Sequence, residues 1–75
     1  MDDLTKQKLE MWTNKLEDLR KRLEETMIRR GEAMQMGDLR ENAAFQDADE
    51  EAAVLRQQVQ EVEKIIEKLE KGETK

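Results

Sequence analysis

The sequence predicts an all-α fold, an antiparallel two-helix coiled-coil hairpin. Three observations carry that reading. The 75 residues contain no proline and only three glycines, and 44% are charged. Strong helix formers (Glu, Lys, Leu, Gln, Arg, Met, Ala) dominate, a composition typical of long helices and coiled coils. Apolar residues then recur three and four apart in two separate stretches, and a Gly-Asp pair lies between them. The mixed signs of charge along the chain and the regular apolar beat set it apart from a disordered polyelectrolyte.

Helix 1 is expected over about residues 3–35. Its stripe runs through Leu9, Trp12, Leu16, Leu19 and Leu23, the heptad spacing of a coiled-coil seam. Beyond Leu23 the beat is read as slipping to Met27, Gly31 and Met34, a stutter-like insertion, with Arg30 on or beside the stripe where an apolar side chain is expected.

The turn, or tip, is placed at residues 36–38. Gly37 is the strongest stop signal, because glycine readily takes the positive-φ conformation that ends a helix. Asp38 and, three residues later, Glu41 have the spacing of a capping box for a helix beginning at about 39. So short a turn makes the helices antiparallel.

Helix 2 is expected over about 39–71. Its seam is cleaner: Phe45, Ala48, Ala52, Leu55, Val59, Val62, Ile66 and Leu69 alternate at three and four without a break. Folded on Gly37, the two stripes meet in register, with Leu9 against Ile66, Leu16 against Val59, Leu23 against Ala52, Met27 against Ala48 and Met34 against Glu41. Trp12 is expected on Val62. The chain thus reads as one helical hairpin over residues 1–75. Two helices bury little surface, so self-association into a homo-oligomer is a natural further source of stability.

Composition excludes several functions. There is no Cys and no His, hence no disulfide framework, no Cys/His zinc site and no catalysis by either residue. No apolar run approaches the roughly 18 residues of a membrane span, and no basic-then-apolar leader opens the chain, so a cytoplasmic protein without a membrane role is expected. The net charge of -5 lacks the basic footprint of a general duplex binder. Charge is uneven, however. Residues 1–36 hold eight basic and eight acidic residues, and the second half carries the whole excess. Arg20, Lys21, Arg22, Arg29 and Arg30 cluster on helix 1, and most are expected to be solvated or paired with acids of helix 2, while Asp49 to Glu51 are read as a solvated face. A minority reading makes the basic cluster a phosphate-facing stripe.

The tip reads Gly37-Asp38-Leu39-Arg40-Glu41-Asn42-Ala43-Ala44-Phe45. This stretch resembles the tip of the N-terminal coiled coil of the bacterial Gre-type transcript cleavage factors, the GreA/GreB family of transcription elongation factors. Gly37, Asp38, Leu39, Glu41, Asn42 and Ala43 match the family pattern, whereas Ala44 stands for the usual Glu and Phe45 for the usual Tyr. The resemblance is sharp over about nine residues and, through its fold, extends over most of the chain.

The resemblance implies a concrete role. The hairpin enters the secondary channel of bacterial RNA polymerase, and Asp38 and Glu41 reach its active centre. There they help hold a Mg²⁺ shared with the polymerase, which then cuts its own backtracked RNA and leaves a fresh 3′ end. Gly37, Leu39, Asn42 and Phe45 order the tip; Asn42 is equally read as a backbone cap at the helix start, and Phe45 as a seam residue or plug. On this reading the chain is not an enzyme by itself. Gre factors carry a second, C-terminal domain, so the expectation is either an excised domain or a stand-alone hairpin. The alternative function is a helical interaction module, or a competitor of Gre factors that occupies the channel without cleavage. In that case Asp38 and Glu41 do no more than cap.

Overall fold

The computed structural model describes residues 1–37 and 41–72. Helix α1 spans Asp3–Met34 and helix α2 spans Ala43–Lys71. They pack side by side along their length into a rod of 54 × 16 × 12 Å. At about 1.5 Å per residue a helix of α1's length accounts for nearly the whole long axis. The radius of gyration, 16.6 Å, exceeds the roughly 11 Å of a compact domain this size. The predicted helical hairpin is the observed fold.

Both helices begin with a side-chain cap. Asp2 caps α1, its Oδ1 accepting the Thr5 N–H at 2.7 Å. That bond, together with the nearby positive charges, holds the Asp2 carboxyl below its ordinary value. At the far end α2 stops at Gly72, whose φ of 71° lets its N–H return to the Leu69 carbonyl. Lys68 and Lys71 in the last turn complement the helix dipole, and Lys71 also reaches Glu67 at 2.7 Å.

The core is a single stripe. Leu16, Leu19, Leu55 and Val62 form its buried cluster, with Trp12, Leu23, Val59 and Ile66 packed against it. Leu19 is 2% exposed. Toward the tip the seam narrows to small residues, Ala33, Ala48 and Ala52, which lets the helix backbones approach.

Two expectations about α1 are corrected here. The beat does not slip after Leu23. It continues through Thr26, Arg30 and Ala33, each buried or half-buried, so the three-and-four spacing runs unbroken from Leu9, with Met27 and Gly31 half-buried beside it. Thr26 is only 1% exposed, and its hydroxyl accepts a bond from Arg29 Nη2 at 3.2 Å. Met34, expected opposite Glu41, is instead exposed, as is Glu41. The physical reason is geometric continuity. Two long helices already packed along a heptad-spaced stripe keep that register more cheaply than they absorb an insertion, even where the next seam positions carry a hydroxyl and a guanidinium.

Candidate functional site

The site expected from the sequence is the tip, and the helix ends around it differ from the short turn expected at residues 36–38. Helix α1 ends at Met34 with tightened last bonds, from the Gln35 N–H to the Glu32 carbonyl (3.2 Å) and from the Met36 N–H to the Ala33 carbonyl (3.0 Å). Gly37 follows with φ 133°, a conformation an L side chain rarely adopts. Helix α2 starts at Ala43 rather than at about 39. The connection therefore runs over residues 35–42, not 36–38.

The expected capping box is also corrected. The residue that caps α2 is Asn42, whose Oδ1 accepts the Phe45 N–H at 3.0 Å. Asn and Asp are equally good in that role, but Asn42 offers something a carboxylate cannot. Its Nδ2 donates to the Ala33 carbonyl at 2.6 Å. One amide thus starts α2, satisfying an N–H that otherwise lacks an intrahelical partner, and grips an end carbonyl of α1 that also accepts the Met36 N–H. That double use favours beginning α2 at 43, and it leaves Glu41 outside the helix.

Glu41 is consequently exposed in a turn, and no hydrogen bond or ion pair joins it to another described residue. Asp38 and Leu39, the other tip residues picked out by sequence, lie outside the described residues. Capping of α2 therefore does not account for Glu41, and the part of the expected capping box that falls on Asp38 lies outside the described residues. The Glu41 carboxylate stands at one extremity of the rod, adjacent in the chain to the residue that clamps the two helices together.

Beneath the tip, Phe45 is half-buried at the first position of the α2 stripe. The guanidinium of Arg30 lies over its ring, 4.7 Å from the centroid, and donates from Nε to Asp49 Oδ1 at 2.8 Å. The basic cluster of α1 is largely matched by acids. Arg20 meets Glu63 at 2.9 Å, Arg29 meets Glu51 at 2.6 Å, and Arg22 meets Asp18 on its own helix at 3.1 Å. These exposed pairs add little stability, but they neutralise the stripe read as phosphate-facing. The acidic run Asp49 to Glu51, expected to be a solvated face, supplies two of those partners.

On one side of the tip a shallow groove is lined by Arg29, Glu32, Ala33, Met36, Ala44 and Asp47. Among the described residues no group of three or more carboxylates comes together as a metal cage. Sequence reasoning missed Thr26 and the brace made by Arg30. Both lie where the unbroken heptad count falls, and that count is the signal that finds them.

A family model described as "Transcription elongation factor, N-terminal", that of the GreA/GreB factors, matches residues 3–70. The chain belongs to this family. The match takes in both helices and the tip, so the Gre domain is the hairpin itself. Comparison with curated proteins and with solved structures gave no match. No described helix of this Gre-type domain is long and apolar enough to cross a membrane.

Proposed function

We propose that the hairpin acts as a transcript-cleavage module, delivering the carboxylates of Asp38 and Glu41 through the secondary channel of bacterial RNA polymerase to its active centre. The observation that carries this reading is Glu41. It is a carboxylate outside both helices, exposed and without a described partner, at the end of a rod 54 Å long and no more than 16 Å across. A rod of those proportions suits a narrow channel, and its length suits a deep target.

The donor set fits the metal that the family implies. Mg²⁺ prefers oxygen ligands and is commonly held by one or two carboxylates together with waters and substrate phosphates. Asp38 and Glu41 would supply those carboxylates, and the polymerase and RNA the remainder. Bound there, the ion would lower the pKa of an attacking water and stabilise the leaving oxygen. The chain's own contribution is delivery: α1 and α2 set the reach, the Asn42 clamp fixes the start of the tip, and the exposed Glu41 remains available as a ligand. The described residues form no enclosed pocket able to exclude water around a substrate, which supports leaving the bond-breaking machinery to the polymerase.

The test uses stalled, backtracked bacterial polymerase with end-labelled RNA and Mg²⁺. The chain is expected to accelerate cleavage. Asp38→Asn and Glu41→Gln are expected to abolish the acceleration while leaving helix content unchanged, because Asn42 is the residue that caps α2. Full stimulation by both variants would refute the reading. Failure of wild type to stimulate, together with inhibition of an added full-length Gre factor, would instead identify a channel-occupying competitor.

A further inference from the structure

Arg30 occupies a seam position, where two long helices ordinarily place an apolar side chain. Its side chain is 29% exposed, whereas Arg20, Arg22 and Arg29 are 57%, 60% and 58% exposed. A guanidinium this far into the seam loses hydration, and a leucine there would pack with less penalty. The position nevertheless gives the guanidinium two engagements at once. Its face lies on the Phe45 ring at 4.7 Å, and its Nε donates to Asp49 at 2.8 Å. Planar stacking combined with directed donation is what arginine offers and an aliphatic residue does not.

The contacts then close into a ring around the base of the tip. Arg30 holds the Phe45 side chain. The Phe45 N–H is held by Asn42 Oδ1. Asn42 Nδ2 holds the Ala33 carbonyl, which lies one turn beyond Arg30 on the same helix. Glu41 is bonded directly to Asn42. Displacing the Phe45 ring therefore loosens the segment from which Glu41 projects, while the leucine-rich core, farther along the rod, is untouched.

We propose that Arg30 is a positioning residue for the acidic tip, acting through Phe45 and Asn42 at a cost to seam stability. Its effect on cleavage rests on the function proposed above; its effect on tip order does not. Two readouts keep the two separable. The first is NMR of the isolated chain. In wild type the Arg30 side-chain protons are expected to be shifted upfield by the Phe45 ring, and the Glu41 backbone amide and the Asn42 side-chain amide to give single, ordered signals. Arg30→Leu is expected to hold or raise the melting temperature while broadening or multiplying the Glu41 and Asn42 signals. Phe45→Leu is expected to remove the upfield shift and reproduce the same loss of order. Arg30→Lys, which keeps a cation able to sit on the ring, is expected to restore part of it.

The second readout is polymerase cleavage as a function of chain concentration. Arg30→Leu is expected to lower the maximal rate by roughly ten- to a hundredfold, since misplacing a catalytic group by about 1 Å can cost on the order of 100-fold. The half-saturating concentration should stay unchanged, because the shaft is intact. Ordered Glu41 and Asn42 signals in Arg30→Leu would overturn the proposal, as would an unchanged maximal rate. If wild type itself does not stimulate cleavage, the function proposed above fails, and the NMR comparison still decides the role of Arg30.

Discussion

Replacing Asn42 separates the two tasks that its side chain performs. Asn42→Ala removes the cap on α2 and the tie to α1 together. Loss of an Asn cap costs about 1 kcal/mol, within a range of roughly 0.5–2. The tie is a short, part-buried bond of 2.6 Å, but the Ala33 carbonyl keeps a second partner in the Met36 N–H at 3.0 Å. No orphaned acceptor is left behind, so the tie is worth only the net value of a made bond, about 1 kcal/mol. The sum is about 2 kcal/mol, and for a domain of this size each 1 kcal/mol moves the melting temperature by roughly 4–8 °C. Asn42→Ser keeps a capping oxygen and loses only the amide donor, so about half the effect is expected. Thermal and urea unfolding followed by far-ultraviolet circular dichroism, at one fixed chain concentration, measures both. A stability for Asn42→Ala within about 0.5 kcal/mol of wild type, the ordinary range for an unimportant surface position, would refute the clamp. Equal losses for Ala and Ser would assign the whole effect to the tie and none to the cap.

Other expectations follow from the same structure. Leu19→Ala, at a core residue 2% exposed, should cost roughly 3 kcal/mol and in so thin a core leave much of the chain unfolded, visible as lost ellipticity at 25 °C. Thr26→Val should be neutral or stabilising in urea melts, because it exchanges a buried hydroxyl for a methyl of the same shape while Arg29 keeps its partner Glu51. The Asp2 carboxyl, lowered chiefly by its bond from the Thr5 N–H, binds its proton more readily in the unfolded chain. Its contribution is therefore complete above the unfolded value near about pH 4 and is lost as pH falls through the lower folded value. Asp2→Asn should retain the cap and flatten that part of the acid titration, read by amide exchange at the start of α1.

Much of the fold was legible in the chain because its signals are local and mutually consistent. Absence of proline, dominance of helix formers and the beat from Leu9 to Leu23 and from Phe45 to Leu69 all demand long amphipathic helices. Gly37 marks the reversal, and its positive φ is the reason glycine stands there. The tip motif placed the chain in its family, which the match over residues 3–70 establishes. The candidate site was legible as a set of residue types and not as a geometry. The spacing of Asp38 and Glu41 suits a cap as well as it suits a ligand pair, and sequence alone gives no way to choose between them.

The tertiary structure decided what depends on two helices being present at once. Asn42 becomes the cap of α2 because only in the folded hairpin does its amide also find the Ala33 carbonyl of α1. That second bond lies nine residues away, out of reach of any local rule. Glu41 is released into the turn as a consequence. Arg30 and Thr26 enter the seam because packing already begun at Leu16 and Leu19 carries the register forward, although their polarity alone marks them as surface residues. Composition and periodicity determined that this chain is a two-helix rod, and the resemblance of its tip motif pointed to the Gre family. Contacts between its helices determined where α2 begins, what holds that start, and that Glu41 lies outside the helix.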